Sequence, residues 1–140
     1  MGKRENLVTN ACTKVLDILG VPWVRLNSGQ AWAKKTGGGM RPIAQGKPGF
    51  PDIIGVLPDG RFLGVEAKAP EIKGLWRKKP AGKLSELQKA VHKQLIASGA
   101  LILTVTSSEE MISDLVASGY FPEYAGRTTT PNRADTRSGV

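Results

Sequence analysis

Cysteine is nearly absent. Cys12 stands alone in 140 residues, so no disulfide can form within the chain. A lone thiol suits a reducing compartment, and its place in an apolar helical stripe makes Cys12 a small core residue rather than a reactive group. Histidine is equally scarce, with His92 the single example, so no zinc site of paired His and Cys side chains can be assembled. No run of about 18 apolar residues occurs, and nothing reads as a membrane-spanning helix. The N-terminus has no apolar stretch of the signal-peptide kind, and Asn6 in "MGKREN" argues against a myristoylated glycine. These absences set the expectation of a soluble, cytoplasmic protein.

Acidic residues are also few. Twelve Asp and Glu face 20 Lys and Arg, for a formal charge of +8 and a pI of about 9.9. The chain is long enough for one domain with a real core and too short for two. Such an excess of positive charge on a small domain points to a polyanion partner, most often nucleic acid. The excess is uneven: residues 1–50 hold eight Lys and Arg against Glu5 and Asp17, while residues 111–140 are balanced.

What is present reads as alternating helices and strands. Residues 5–19 space Val8, Ala11, Cys12, Val15, Ile18 and Leu19 as the inner face of a helix, stopped by Gly20 and Pro22. A strand is expected over 23–28. Residues 29–49 are rich in glycine and proline and read as a long loop. Strands over 52–57 and 61–67 form a hairpin, and a basic loop follows. Ser85 and Gln88 spell a capping box for a helix to about Ser98 that turns Leu87, Val91, Leu95 and Ile96 inward. "ALILTVT" is a buried strand, and Ser107 or Ser108 caps a last helix ending near Gly119. The order is αβββαβα, with residues 1–125 as one α/β domain. Residues 126–140 are polar and expected to be disordered. Both hairpin strands carry apolar residues on both faces (Ile54, Val56 and Phe62 on one; Ile53, Leu63 and Val65 on the other), which predicts a sheet covered on both sides.

The hairpin also carries charge at one end. In "LPDGR" Pro58 and Asp59 suit the centre of a type I turn, and Gly60 suits the left-handed position after it. That loop pairs Leu57 with Arg61 and, counting back, sets Asp52 opposite Glu66, with Cβ atoms roughly 4.5–5.5 Å apart. Lys68, two residues on, shares their face. A loop one residue shorter or longer would part the carboxylates. Two facing carboxylates repel, and a hard divalent cation such as Mg²⁺ or Mn²⁺ removes that cost while leaving coordination positions for phosphate and water. The Ala67 carbonyl offers a further oxygen. Lys68 supplies a fixed positive charge for a transition state or an attacking water. The plain alternative is a strand end with a salt bridge from Glu66 to Lys68 or Arg61.

With these residues in view, the chain resembles a known family. "GFPD" at 49–52 and "EAK" at 66–68 look like the signature of the PD-(D/E)XK nuclease superfamily. Glu5, "RLNSG" at 25–29 and "GKLSELQKAVHKQLIASGA" at 82–100 are similar, more narrowly, to the viral-type replication and repair nuclease (VRR-NUC) domain, over about residues 4–118. The resemblance implies a restriction-endonuclease-like mixed sheet flanked by helices, shared with Holliday-junction resolvases. It assigns metal ligation to Asp52 and Glu66, catalysis to Lys68 and support to Glu5 and Gln88. It further implies a homodimer, and host cytoplasm if the source is viral. Ordinary alternatives stand beside two of these roles: Glu5 suits the first turn of any helix, and Gln88 completes a cap. If Gln88 reaches back to Ser85, one of its two roles is expected to dominate.

The DNA contacts expected from composition are Asn27 and Ser28 in a turn after a strand, Lys34, Lys35, Arg41 and Lys47 around "TGGGM", and Trp76, Arg77, Lys78, Lys79 and Lys83 in the second basic loop. "TGGGM" is no Walker loop, since no Gly-Lys-Ser/Thr follows. His92, beside the inward Val91, is expected at the surface or rim. The resulting expectation is a Mg²⁺- or Mn²⁺-dependent DNA endonuclease, with branched DNA as a candidate substrate. A DNA-binding module without catalysis and a nucleotide phosphohydrolase are the rivals.

Overall fold

Burial of alternating faces along two central strands organises the chain. The computed structural model describes residues 3–26, 30–44, 48–73, 78–79 and 82–126. Helix α1 (Lys3–Leu19) is followed by β1 (Trp23–Arg25), then the β2–β3 pair (Gln30–Lys34, Met40–Ala44) and the β4–β5 pair (Ile53–Val56, Phe62–Ala67). A short β6–β7 pair (Ile72–Lys73, Lys78–Lys79), α2 (Glu86–Ala97), β8 (Leu101–Val105) and α3 (Ser108–Ala117) complete the order, with a 3₁₀ turn at Pro122–Tyr124. The main sheet runs β1-β4-β5-β8. Its first three strands are antiparallel neighbours, and β8 returns parallel to β5 after the crossover through α2. This is a mixed α/β sheet flanked by helices, as expected.

Odd-numbered residues of β4 and β5 enter the core. Ile53, Leu63, Val65 and Ala67 pack with Leu103 and Val105 of β8, with Val8, Cys12 and Leu16 of α1, and with Met111 and Leu115 of α3. Burial raises the Cys12 thiol to a pKa of about 12, with Glu109 and Glu110 adding to the effect, so it is inert at neutral pH. Even-numbered residues face the other way. There Ile102 and Thr104 of β8 lie beneath α2 and join Leu84, His92 and Ile96 in lining a cleft of about 300 Å³.

Several expectations need correction. The stretch 29–49 contains the β2–β3 ladder, Gln30 to Ala44 through Lys34 to Met40, and the second basic loop contains β6–β7. Turn-rich composition hid both, because glycines at a hairpin tip resemble those of a loop; Gly37, Gly38 and Gly39 all have positive φ. Ile18, Leu87 and Ile96 are exposed. In α1 the stripe is set by Val8, Cys12 and Leu16 at i, i+4 and i+8, which rotates Ile18 outward. The second face of the sheet is covered only in part. Helix α2 packs on β8, while Val24 and Val56 remain half-exposed beside Ile54 and Phe62. Among the described residues no helix is long and apolar enough to cross a membrane.

Candidate active site

The β4–β5 register decides the site. Leu57 N–H donates to Arg61 O at 2.9 Å, Gly60 N–H donates to Leu57 O at 2.8 Å, and Gly60 takes a φ of +89°. The ladder then pairs Val56 with Phe62 and Ile53 with Val65. The ladder ends at that pair; carried one step further its register would set Asp52 opposite Glu66, and the two carboxyl groups lie close enough to interact. The strands part there, and the Ala67 N–H donates instead to Asp52 Oδ2 at 3.1 Å. N–H and C=O of one strand residue point to the same side, so the Ala67 carbonyl faces the same edge as Asp52.

Close packing fixes the approach of Asp52. Pro51 lies on Gly64, where an added Cβ would stand 2.6 Å from Pro51 Cγ and 2.7 Å from Ile102 Cδ1. Gly49, at φ +88°, abuts α2, and a Cβ there would be 2.7 Å from Val91 Cγ2. The "GFPD" segment is thus held between the sheet and α2 by two residues that tolerate no side chain. The Asp52 carbonyl also accepts from Leu26 N–H at 2.7 Å, which ties this segment to the end of β1.

Asp52, Glu66 and Lys68 are 5%, 2% and 8% exposed. Lys68 Nζ donates to Gln88 Oε1 at 3.1 Å and lies 3.7 Å from Glu66 Oε2. Gln88 Nε2 donates to Glu66 Oε2 at 3.1 Å. The same Gln88 Oε1 accepts from Ser85 N–H at 2.9 Å, and Gln88 N–H donates to Ser85 Oγ at 3.1 Å. Neither role of Gln88 dominates. The expectation of a choice was wrong, because the carbonyl oxygen has two lone pairs for the cap and the lysine and the amide NH₂ remains for Glu66.

Glu5 reaches the same end of the sheet from α1. Gly82 marks the place: a Cβ on it would contact Lys68 Cδ at 3.4 Å and Glu5 Oε1 at 3.5 Å. Burial, the charge of Asp52 and a proton shared with it push Glu66 up to a pKa of about 8, against the pull of Lys68 and with a further push from Glu5. Glu66 Oε1 is buried with no hydrogen-bond partner.

His92 was misplaced by sequence reasoning. It is 5% exposed, and its Nε2 sits 3.7 Å from Glu66 Oε1. Burial and the charge of Lys68 lower its pKa, while Asp52 works the other way. The signal was available, since Gln88 and His92 are four apart on one helix and share a face.

Asp52, Glu66, Lys68, Gln88 and Glu5 are therefore gathered at one end of the sheet. Among the described residues no group of three or more His, Cys, Asp or Glu side chains is placed to hold a metal ion. A cation here would rest on Asp52, Glu66 and the Ala67 carbonyl. The donor set fits Mg²⁺ or Mn²⁺: hard oxygens, one buried acceptor without a partner, and a like-charge pair that a cation relieves. The expected DNA contacts are spread more widely. Lys35 and Lys83 are exposed, Lys34 and Arg41 lie on β2 and β3, and Lys78 and Lys79 form β7. Asn27, Ser28, Lys47, Trp76 and Arg77 lie outside the described residues.

A solved structure with this architecture is a "VRR_NUC domain". It matches with a TM-score of 0.52 at 19% identity, covering 85% of this chain and 100% of that one. The fold is that of a VRR-NUC domain. No protein-family model and no curated protein matches the chain. The acidic pair and Lys68 converge because β5 runs on beside β8 to Ala67, beyond its last β4 partner at Val65, and α2 packs on β8.

Proposed function

We propose that the protein is a Mg²⁺- or Mn²⁺-dependent DNA endonuclease that hydrolyses phosphodiester bonds. The observation that carries this reading is the buried Asp52–Glu66 pair, with Lys68 held beside it by Gln88. A DNA-binding module gains nothing from facing phosphate with two carboxylates, and a nucleotide hydrolase has no use for basic hairpins at β2–β3 and β6–β7. A bound divalent cation would polarise the phosphoryl oxygen and lower the pKa of a water. Asp52, anchored by the Ala67 N–H, and Glu66, gripped by Gln88, supply the ligands, with the Ala67 carbonyl beside them. Lys68, desolvated and fixed, places one positive charge where the transition state gains negative charge. Glu5 completes the acidic rim, and the basic hairpins neutralise the DNA backbone.

Cleavage of linear, nicked, flapped and four-way-junction DNA, with Mg²⁺, Mn²⁺ or chelator, tests the reading. Cation-dependent cutting supports it, and the ranking of substrates identifies the preferred structure. Absence of cutting on every DNA with either cation overturns it. A homodimer is part of the proposal, motivated by the resemblance, since a twofold pair would offer one site to each strand. Sedimentation at micromolar protein, with and without DNA, should give the dimer mass; monomer alone removes this element.

A further inference from the structure

His92 and Glu66 leave two buried polar atoms facing each other. Glu66 Oε1 and His92 Nε2 have no hydrogen-bond partner, their side chains are 3% and 6% exposed, and they stand 3.7 Å apart. That is too long for a hydrogen bond, yet closing it takes a shift of only about half an ångström. Elsewhere His92 lines a cleft with Leu84, Ile96, Ile102 and the exposed Thr104, whose hydroxyl makes no hydrogen bond with it. The other oxygen, Oε2, is already engaged by Gln88 Nε2 at 3.1 Å and faces Lys68 Nζ at 3.7 Å, and Asp52 hydrogen-bonds the same carboxyl group from β4. Two side chains one helical turn apart on α2 thus address the two oxygens of one carboxylate, one each. A carboxylate addressed at both oxygens cannot rotate about its terminal bond, and the groups that hold a metal-binding carboxylate govern its affinity.

We propose that His92 is a positioning residue: it donates from Nε2 to Glu66 Oε1 and, with Gln88, fixes the plane of the carboxylate that a divalent cation requires. This rests on the nuclease reading above. It adds a residue that the sequence motif omits, one helical turn from Gln88 on the same face of α2.

Three variants of the full chain separate the possibilities. His92→Gln keeps an N–H donor at about the reach of Nε2, His92→Asn keeps an amide too short to reach, and His92→Leu fills the volume without a donor. Mn²⁺ alone is the probe, followed by water-proton relaxation, and thermal melts in chelator report folding. His92→Leu is expected to melt cooperatively and to bind Mn²⁺ about 10–100-fold more weakly than the parent. His92→Gln is expected to recover to within a few-fold. In cleavage at fixed sub-saturating Mn²⁺, kcat should fall in His92→Leu while KM for DNA stays unchanged. If His92→Leu does not fold, His92→Asn takes its place with the same expectation. Unaltered Mn²⁺ affinity in the folded Leu or Asn variant overturns the inference. So does an equal loss in a folded His92→Gln, which would make the imidazole itself a ligand. A parent that takes up no Mn²⁺ overturns the nuclease reading and this inference with it. A parent that binds, beside variants that bind equally, removes this inference alone.

Discussion

Lys68 is one of 20 basic side chains, so its share of DNA attraction is small, but it is the one buried against Glu66 and tied to Gln88. Lys68→Ala should therefore lower kcat by on the order of 10²–10³ and leave DNA affinity within a few-fold. A rate near the parent's in a gel cleavage assay would remove Lys68 from the chemistry. Asp52 is expected to behave differently. Opposite charges at about 5 Å attract, and like charges repel, by about 3 kcal/mol at an effective dielectric near 20; here Lys68 and proton uptake by Glu66 reduce the net strain to about 1 kcal/mol. Asp52→Asn keeps an oxygen for the Ala67 N–H and presents an amide to Glu66. The variant should melt slightly higher than the parent in chelator, lose cleavage, and lose stabilisation by Mn²⁺. A lower melt in chelator with the Mn²⁺ effect intact would show a structural ion pair instead. At this scale the sequence was informative where a register rule applied: one turn type placed Asp52 against Glu66. His92 was missed because its neighbour Val91 was read as the inward residue, whereas both are buried, Val91 against Gly49 and His92 against Glu66.

At the scale of elements, capped and periodic segments were legible and glycine-rich ones were not. Ser85 and Gln88 cap α2 as their spacing predicts, and Ser107 caps α3. These are local interactions, complete within four residues. The β2–β3 and β6–β7 ladders depend on pairing between separate strands, with no alternating pattern strong enough to reveal it. Both ladders carry basic residues, Lys34 and Arg41 on β2–β3 and Lys78 and Lys79 on β6–β7, at fixed positions along the backbone. Neutralising Arg77, Lys78 and Lys79 together should weaken DNA binding and flatten the slope of log K against log salt by about 0.9 for each phosphate that is no longer neutralised. Fluorescence anisotropy over a salt series measures this. An unchanged slope would place that hairpin away from DNA.

For the molecule as a whole, the site and the fold are coupled through protons. Glu66 titrates near 8 in the folded chain instead of at 4.5. Between those values the folded state retains a proton that the unfolded state has released, so Glu66 contributes stability that is complete below pH 4.5 and lost as pH rises through about 8. His92 runs the opposite way: its lowered pKa means that stability is present above its ordinary 6.5 and lost as pH falls through the folded value. The two oppose each other in the acid range, and above pH 6.5 the Glu66 effect persists after that of His92 has levelled off. Mn²⁺ competes with the Glu66 proton, and a ligand that binds only the native state stabilises more as its site deprotonates. Melting curves from about pH 6.5 to 8.5 should therefore fall with pH in chelator and fall less, or rise, in Mn²⁺. Glu66→Gln provides the control, because it removes both the proton and the charge: its melting point should lose this part of the pH slope and respond weakly to Mn²⁺. Parallel slopes for the parent and Glu66→Gln in chelator would mean that Glu66 is ionised throughout. The like-charge pair would then be relieved by Lys68 alone, and the argument for a cation from stored repulsion would fail, leaving the metal proposal to rest on the oxygen donors.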